Sequence, residues 1–588
     1  RQRCLITVCK GTHATFKDSI IKDIEAMIFL RSYASMDNAT ATATVGLRSL
    51  DGLLCVVGRS NVAIVDTTMA SNVGPHSLLV ADSTVTLANS SVRYNNASGY
   101  SGAVLVASNS SMSITGSTSI THNVGSKGAG IYIAPNSTVR ITDAVSITHN
   151  VVSDGQPHEQ GGGVFVAPNS TLLIAGGAVV SHNHATSGQG GGIYGAVNST
   201  VRIGGHASVV RNQAVAGGAV AMDANSLLQV LDNALIAFNN ATMGGAILVL
   251  GGTKALGTAI SAVTVAGNAS ITRNNASSYG GGVAAINCAV TLADRSSLTH
   301  NSAGEIGGGI AMKGKGNIIV GGRASISHNN ATSGGGVGVS PGVVNVTIGG
   351  SATISHNAAN ADPGFGGGVY VVGVSNVTIL DSAFVTFNTA SGSGGGVSVW
   401  GMANVTVAGN ASISHNKNGV KALAQIQVIP QGGGLAVGGR SNVSIIDNVI
   451  ITHNNGTGNR GGVFIEGASN VIVRDNVRIN DNTAMAGGAV YLQGDTSDMT
   501  TLSLGADALP YGNAQYVKVG NHRVLNWIVN ASITHNVLLL RNKAGNGGAI
   551  YLGVQSGASF SDNASIMHNM GLVGHGGGMF VGSNSSLS

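Results

Sequence analysis

Apolar runs of four to six residues, dominated by Val and Ile, recur along nearly the whole chain and are cut each time by Gly, Asn, Ser or Thr. One stretch is representative: Gly161-Gly-Gly-Val-Phe-Val-Ala, Pro-Asn-Ser, Thr171-Leu-Leu-Ile-Ala, Gly-Gly, then Ala178-Val-Val-Ser-His-Asn. Its pattern predicts three short strands and three turns, because β-branched runs bounded by turn residues favour extended backbone. No segment sustains a helical period with caps.

The same unit returns with a usual step of 27 to 29 residues. Its first strand follows Gly-Gly-Gly or Gly-Gly-Ala, as at Gly161, Gly190, Gly217, Gly244, Gly280 and onward to Gly576. About 20 residues later comes aliphatic-x-x-Asn, ending at Asn123, Asn150, Asn183, Asn212, Asn274, Asn301, Asn329, Asn357, Asn388, Asn416, Asn454 and Asn569. Three short strands cannot bury their own apolar face, whereas stacking each unit on the next builds one core. The prediction is an all-β parallel β-helix of about 20 coils with about 28 residues per coil, on the order of 100 Å long at the strand spacing. Residues 1–45 lack both motifs and carry more charge, which predicts an N-terminal cap; residues 46–588 form the β-helix, lengthened by insertions at 418–431 and 494–527. The second insertion holds Tyr511, Tyr516, His522 and Trp527, and solenoid insertions are frequent binding sites. The last unit, from Gly576, stops midway without a polar cap, which predicts either a fragment or a stacked neighbour.

The Gly-Gly-Ala-Ile/Val units at Gly217, Gly244, Gly487 and Gly547, alternating with aliphatic-x-x-Asn, resemble the repeats of the polymorphic outer-membrane protein (Pmp) family over roughly residues 85–588. That family comprises secreted β-helical surface proteins and adhesins with GGA[ILV] and FxxN repeats. Here Ile or Val usually stands where the family has Phe, a third Gly often replaces Ala, and no membrane-barrel segment is present. The repeats are also similar to the wider right-handed β-helix (pectin-lyase-like) superfamily, which includes polysaccharide lyases and hydrolases. The resemblance implies a single-stranded right-handed parallel β-helix exposed at a surface.

Composition narrows the function further. Charged residues are 9% and aromatic residues 4% of the chain, against about 25% charge in an ordinary domain. The net charge of +5 is scattered without a basic run, which argues against nucleic acid as a partner. Mean hydropathy is +0.26, yet no apolar run reaches the ~18 residues of a membrane helix. Arg1 opens a start with no signal-peptide order. Cys4, Cys9, Cys55 and Cys288 form neither a disulfide framework nor a CxxC zinc pattern, and their disulfide state is left open.

Twenty Asn-x-Ser/Thr sequons fall mostly at equivalent turns: Asn38, Asn89, Asn96, Asn109, Asn136, Asn169, Asn198, Asn240, Asn268, Asn275, Asn330, Asn345, Asn376, Asn404, Asn410, Asn442, Asn455, Asn530, Asn563 and Asn584. Surface turns of secreted proteins accept N-glycans. The same residues are also ordinary turn chemistry. The Asn of aliphatic-x-x-Asn is expected to bond coil to coil as an amide ladder. The slot just before it carries His122, His149, His182, His300, His328, His356, His415, His453, His535 and His568, with Tyr94, Phe238, Phe387, Arg211 and Asp481 elsewhere. A slot tolerating such residues predicts a stacking column and no metal site. The best catalytic cluster, Glu466, Arg474, Asp475, Arg478 and Asp481, reads as one solvated mixed-charge coil, and the repeats show no aromatic platform for sugar stacking. Ser/Thr-Ile-Ser/Thr on the third strand, as at Ser146–Thr148, suits a crystal surface but arises in any regular β-helix.

These readings predict an extracellular structural or adhesive β-helical glycoprotein of a cell-surface layer or fibre, not an enzyme. Catalytic residues and cofactors are expected to be none, apart from covalent N-linked glycans. Self-association, neighbouring surface proteins and glycans are the expected partners. The alternative is a polysaccharide lyase or hydrolase on the same fold.

Overall fold

The structure, a computed structural model, describes residues 54–494 and 531–588 with side chains, apart from 57–60, 74–75, 98–100, 154–158, 253–260, 362, 420–431, 457–459, 468–469, 554, 573–575 and 583–584. Within 4–50 and 514–530 it describes strand backbone alone. No helix occurs among the described residues. The chain forms two compact units, Arg1–Thr291 with Arg295–Ser297, and Leu292–Asp294 with Leu298–Ser588. Both are parallel β-helices.

In the first unit, the strands Ile131–Ile133, Thr138–Ile141 and Ser146–Thr148 pair in parallel with Val164–Val166, Thr171–Ile174 and Val179–Ser181 one coil on. The register aligns Ile131 with Val164, Val139 with Leu172 and Ile147 with Val180. All six side chains are fully buried. Alternation explains this: in Thr138–Ile141, Val139 and Ile141 point inward while Thr138 and Arg140 stay exposed. Each buried aliphatic residue contributes roughly 1.5–3 kcal/mol, and in-register stacking repeats the gain coil after coil. The strand backbones Cys4–Val8, His13–Ile21, Met27–Arg31 and Thr42–Leu50 follow the same parallel order.

The glycine run turns the chain into each first strand. Gly190 has φ of +68°, and a Cβ there would lie 2.3 Å from the Ile193 carbonyl. The next two glycines donate in register to the following coil, Gly191 to the Gly217 carbonyl and Gly192 to the Gly218 carbonyl, both at 3.2 Å.

In the second unit, first and second strands merge. Ile310–Val320, Val337–Ile348, Val369–Ile379 and Val397–Val407 are continuous strands of 11, 12, 11 and 11 residues. They pass their corner through a stacked glycine: Gly401 has φ of +128°, with its Cβ position 2.5 Å from the Gly373 carbonyl. A glycine at the corner lets one strand wrap two sides of the coil.

Among the described residues the first unit stacks eleven first strands, from Cys4–Val8 to Val283–Ile286, and the second nine, from Ile310–Val320 to Met579–Val581, in line with the expected count of about 20 coils. Insertions lengthen single coils, so that successive ladder asparagines lie 35 residues apart at Asn239 and Asn274, 38 at Asn416 and Asn454, and 60 at Asn482 and Asn542. Most of the insertion at 418–431 lies outside the described residues. In the insertion at 494–527, Ala514–Val519 and His522–Trp527 pair antiparallel as a hairpin, unlike the parallel coils.

Candidate functional site

In each unit the buried asparagines form a hydrogen-bond column. Asn150 is typical: its backbone N–H donates to Asn183 Oδ1 at 3.0 Å, and its Nδ2 donates both to Asn183 Oδ1 at 3.0 Å and to the Ile120 carbonyl at 3.0 Å. The amide thereby satisfies its own donors and a backbone N–H that turns into the core. Asn123, Asn150, Asn183, Asn212 and Asn274 occupy this column in the first unit, and Asn301, Asn329, Asn357, Asn388, Asn416 and Asn454 in the second, all at most 1% exposed. Asn569, the last rung, is half-buried and accepts from Asn542. Asn72, Asn95, Asn239, Asn482 and Asn542 are further rungs. Their signal was present in the sequence, an apolar residue three positions earlier in each case.

The preceding slot is left-handed backbone throughout, with φ of 55° at His122, 55° at His149 and 54° at His182. Non-glycine residues are uncommon there, His being among the tolerated ones. The rings stack: His122 on His149 at 4.8 Å and 1°, His149 on His182 at 4.7 Å and 2°, His415 on His453 at 4.8 Å and 2°. Tyr94 caps His122, and Phe387 lies between His356 and His415. Arg211 and Arg273 place their guanidinium groups 5.5 and 5.6 Å from the Phe238 ring. Partial burial first, then His182 and His122, hold His149 below its ordinary value; burial and His453 do the same for His415. Nitrogen lone pairs lie in the ring planes, so parallel rings direct them side by side and not onto one ion. Among the described residues no three His, Cys, Asp or Glu side chains meet in a metal-holding group.

One slot assignment needs correction. His535 sits in the turn before the third strand, where its Nε2 lies 3.6 Å from Asp562 Oδ2, and Arg541 fills the slot of that coil. The thirty-residue insertion shifted the spacing, so a local Ile-x-x-Asn matched at the wrong corner.

The charged coil does not assemble as a group. Arg474 pairs with its neighbour Asp475, whereas Asp481 accepts from Arg541 Nε at 2.9 Å and Nη2 at 3.1 Å. These bonds hold the Asp481 carboxyl below its ordinary value. Glu466 lies on the first strand, Val463–Glu466, and Arg478 is exposed on Arg478–Asn480.

The expectation of no aromatic platform is corrected in part. Tyr132, Phe165 and Tyr194 stack at 4.8 and 5.4 Å in the first unit, and Tyr491, Tyr551 and Phe580 at 4.5 and 4.6 Å in the second. Single aromatic residues in separate repeats become columns once the coils stack. Phe165, Tyr194 and Tyr491 are buried, however, and Arg460 is buried against the Phe464 and Tyr491 rings at 3.7 and 4.2 Å. Only Tyr132, Tyr551 and Phe580 are half-exposed.

The most regular exposed polar surface lies on the long strands of the second unit. Asn345, Asn376 and Asn404 form one row and Thr347, Thr378 and Thr406 a second, lining a shallow open groove. Val343, Val374 and Met402 stand exposed two residues before each Asn.

Of the twenty sequons, Asn38, Asn530 and Asn584 have side chains outside the described residues. The other seventeen, from Asn89 to Asn563, are exposed without exception. Asn109, Asn136, Asn169 and Asn198 occupy one turn with φ between 58° and 61°. Cys55 and Cys288 are buried, and burial pushes the Cys288 thiol up to about 12; Cys4 and Cys9 have side chains outside the described residues. No helix among the described residues is long and apolar enough to cross a membrane.

No curated protein matches the chain, and no solved structure does. Residues 6–214 match the family model described as the right handed beta helix region, a match to the β-helix itself that carries nothing specific to Pmp repeats. With the parallel register above, the fold is a right-handed parallel β-helix.

Proposed function

We propose that this chain is an extracellular structural or adhesive glycoprotein, a building block of a cell-surface layer or fibre without a catalytic role. One observation carries the reading: every sequon asparagine with a described side chain is exposed, whereas the ladder asparagines from Asn95 to Asn542 are buried. Sequons thus collect where an oligosaccharide meets solvent. The stacked ladders supply a scaffold whose shape does not depend on any ligand, and the uncharged Asn and Thr rows supply faces for self-association or neighbouring surface proteins and glycans.

The test is the intact mass of the chain secreted by a eukaryotic cell, before and after enzymatic removal of N-glycans. A loss of several glycan masses is expected; an unchanged mass sinks the glycoprotein reading. The enzymatic alternative, a polysaccharide lyase or hydrolase, is tested on a panel of acidic polysaccharides. Turnover abolished by Asp475→Ala or Asp481→Ala would establish it, and no turnover is expected, since both carboxylates are tied to arginines.

A further inference from the structure

The seventeen exposed sequons are not equivalent. Asn345, Asn376, Asn404 and Asn442 stand in register on successive coils of the second unit. Their amides are joined: Asn376 Nδ2 donates to Asn345 Oδ1 at 2.8 Å, Asn404 Nδ2 to Asn376 Oδ1 at 2.9 Å, and Asn442 Nδ2 to Asn404 Oδ1 at 3.1 Å. This second, exposed ladder runs past the sequons at both ends. Asn345 donates to Asn317 at 2.9 Å and Asn470 donates to Asn442 at 3.2 Å. Yet Asn317-Ile-Ile and Asn470-Val-Ile lack the hydroxyl residue a sequon needs. Asparagine therefore occupies this column whether or not a sequon is completed, and the ladder is its reason.

Spacing then limits what the row can carry. An amide nitrogen has two protons, one spent on the ladder, and a glycosidic bond replaces the other, so a single rung can hold a sugar. A branched glycan is bulky and exceeds the ~4.8 Å between coils, so sugars on two consecutive rungs collide. Attachment in the secretory route precedes folding. A chain modified on consecutive rungs fails to stack those coils and drops out of the folded fraction.

Asn96 and Asn455 have the opposite setting. Asn96 lies between Val73 and Val124 in the coil register, and Asn455 between Lys417 and Thr483. Both are exposed, with no neighbouring asparagine in their column. We infer that Asn96 and Asn455 are glycan acceptors, whereas the row Asn345, Asn376, Asn404 and Asn442 is a structural amide ladder that does not carry sugars on consecutive rungs in the folded protein.

The inference rests on the glycoprotein reading, and one experiment separates their failures. The full chain is secreted from cultured eukaryotic cells, its folded fraction is purified, and it is digested with trypsin after unfolding. No Lys or Arg lies between Arg323 and Lys417, so the fragment Ala324–Lys417 holds Asn345, Asn376 and Asn404 together. Glycan removal in heavy-oxygen water then marks each formerly occupied Asn as labelled Asp. The expected result is label at Asn96 and Asn455, and no fragment molecule labelled at two consecutive rungs. Folded protein whose fragment is labelled at both Asn376 and Asn404, or that lacks label at Asn96 and Asn455 while other sequons carry it, overturns the inference. No label at any sequon overturns the glycoprotein reading and the inference with it. The variant Ile472→Thr completes a sequon at Asn470 next to Asn442; because Arg460 separates the two on tryptic fragments, folded protein whose fractional labelling at Asn442 and Asn470 sums to more than one per chain would equally overturn it.

Discussion

At the scale of single residues, the buried amide ladder is the most costly feature to disturb. Replacing Asn183 by Ala removes the Oδ1 that accepts from the Asn150 N–H and Nδ2, and the Nδ2 that donates to the Ile147 carbonyl at 2.9 Å. Buried polar groups left without partners cost about 1–3 kcal/mol each. Asn183→Ala is therefore expected to destabilise its unit by about 3 kcal/mol, measured by denaturant unfolding, while a change at an exposed turn such as Asn169→Ala should cost well under half of that. The stacked histidines give a second prediction. His149 and His415 are held below the ordinary value of 6.5, so their neutral forms are favoured on folding. A base with a depressed folded-state pKa contributes fully above 6.5, and that contribution is lost as pH falls through 6.5 toward the folded value. Thermal melts at pH 7.5 and 5.5 should show lower stability at 5.5, and His149→Phe, which puts in the ring that Phe387 already supplies in that slot, should reduce the difference. An equal loss in the variant would remove His149 from the explanation.

At the scale of elements, strand pairing depends on what the corners allow. Gly401 has φ of +128° and its Cβ position falls 2.5 Å from the Gly373 carbonyl, backbone that cannot step aside. Gly401→Ala is expected to cost about 2–3 kcal/mol through strain at positive φ, with the loss of amide protection confined to Val397–Val407 and the strands paired with it. Equal protection in variant and parent by hydrogen exchange would contradict this account of the merged strands. Strand existence and inward face were legible beforehand, because alternation within runs such as Thr138–Ile141 states which residues are buried. The corner column was not, since Gly373, Gly401, Gly439 and Gly467 carry no motif until stacking sets them above one another. The antiparallel hairpin of Ala514–Val519 and His522–Trp527 was equally hidden, because a composition rich in β-formers does not state pairing direction.

At the scale of the whole molecule, each coil touches its neighbours and little else, the property that makes repeat folds additive. Deleting residues 330–357, one full coil of the second unit, brings Asn329 to the rung before Asn388 with the register preserved. Such a deletion should leave far-ultraviolet circular dichroism per residue and resistance to chymotrypsin nearly unchanged, whereas removing only 330–343 should lower the first and open Phe365, Tyr370 and Phe384 in the following coils to the protease. Most of the fold was legible because two motifs recur in phase, and the site was legible only by residue type. Asn376 in Asn-Val-Thr reads as a sequon, and only the 2.8 Å bond to Asn345 reveals it as a rung as well. His535 shows the reverse failure: a local motif with the right letters stands at the wrong corner because an insertion displaced the count.

The proposed role of this β-helix as a glycosylated building block of a surface assembly is open to direct test by electron microscopy of the native material, with glycans stained or labelled. Ordered layers or fibres carrying glycan are the predicted result, and discrete, unglycosylated single molecules at physiological concentration would contradict it.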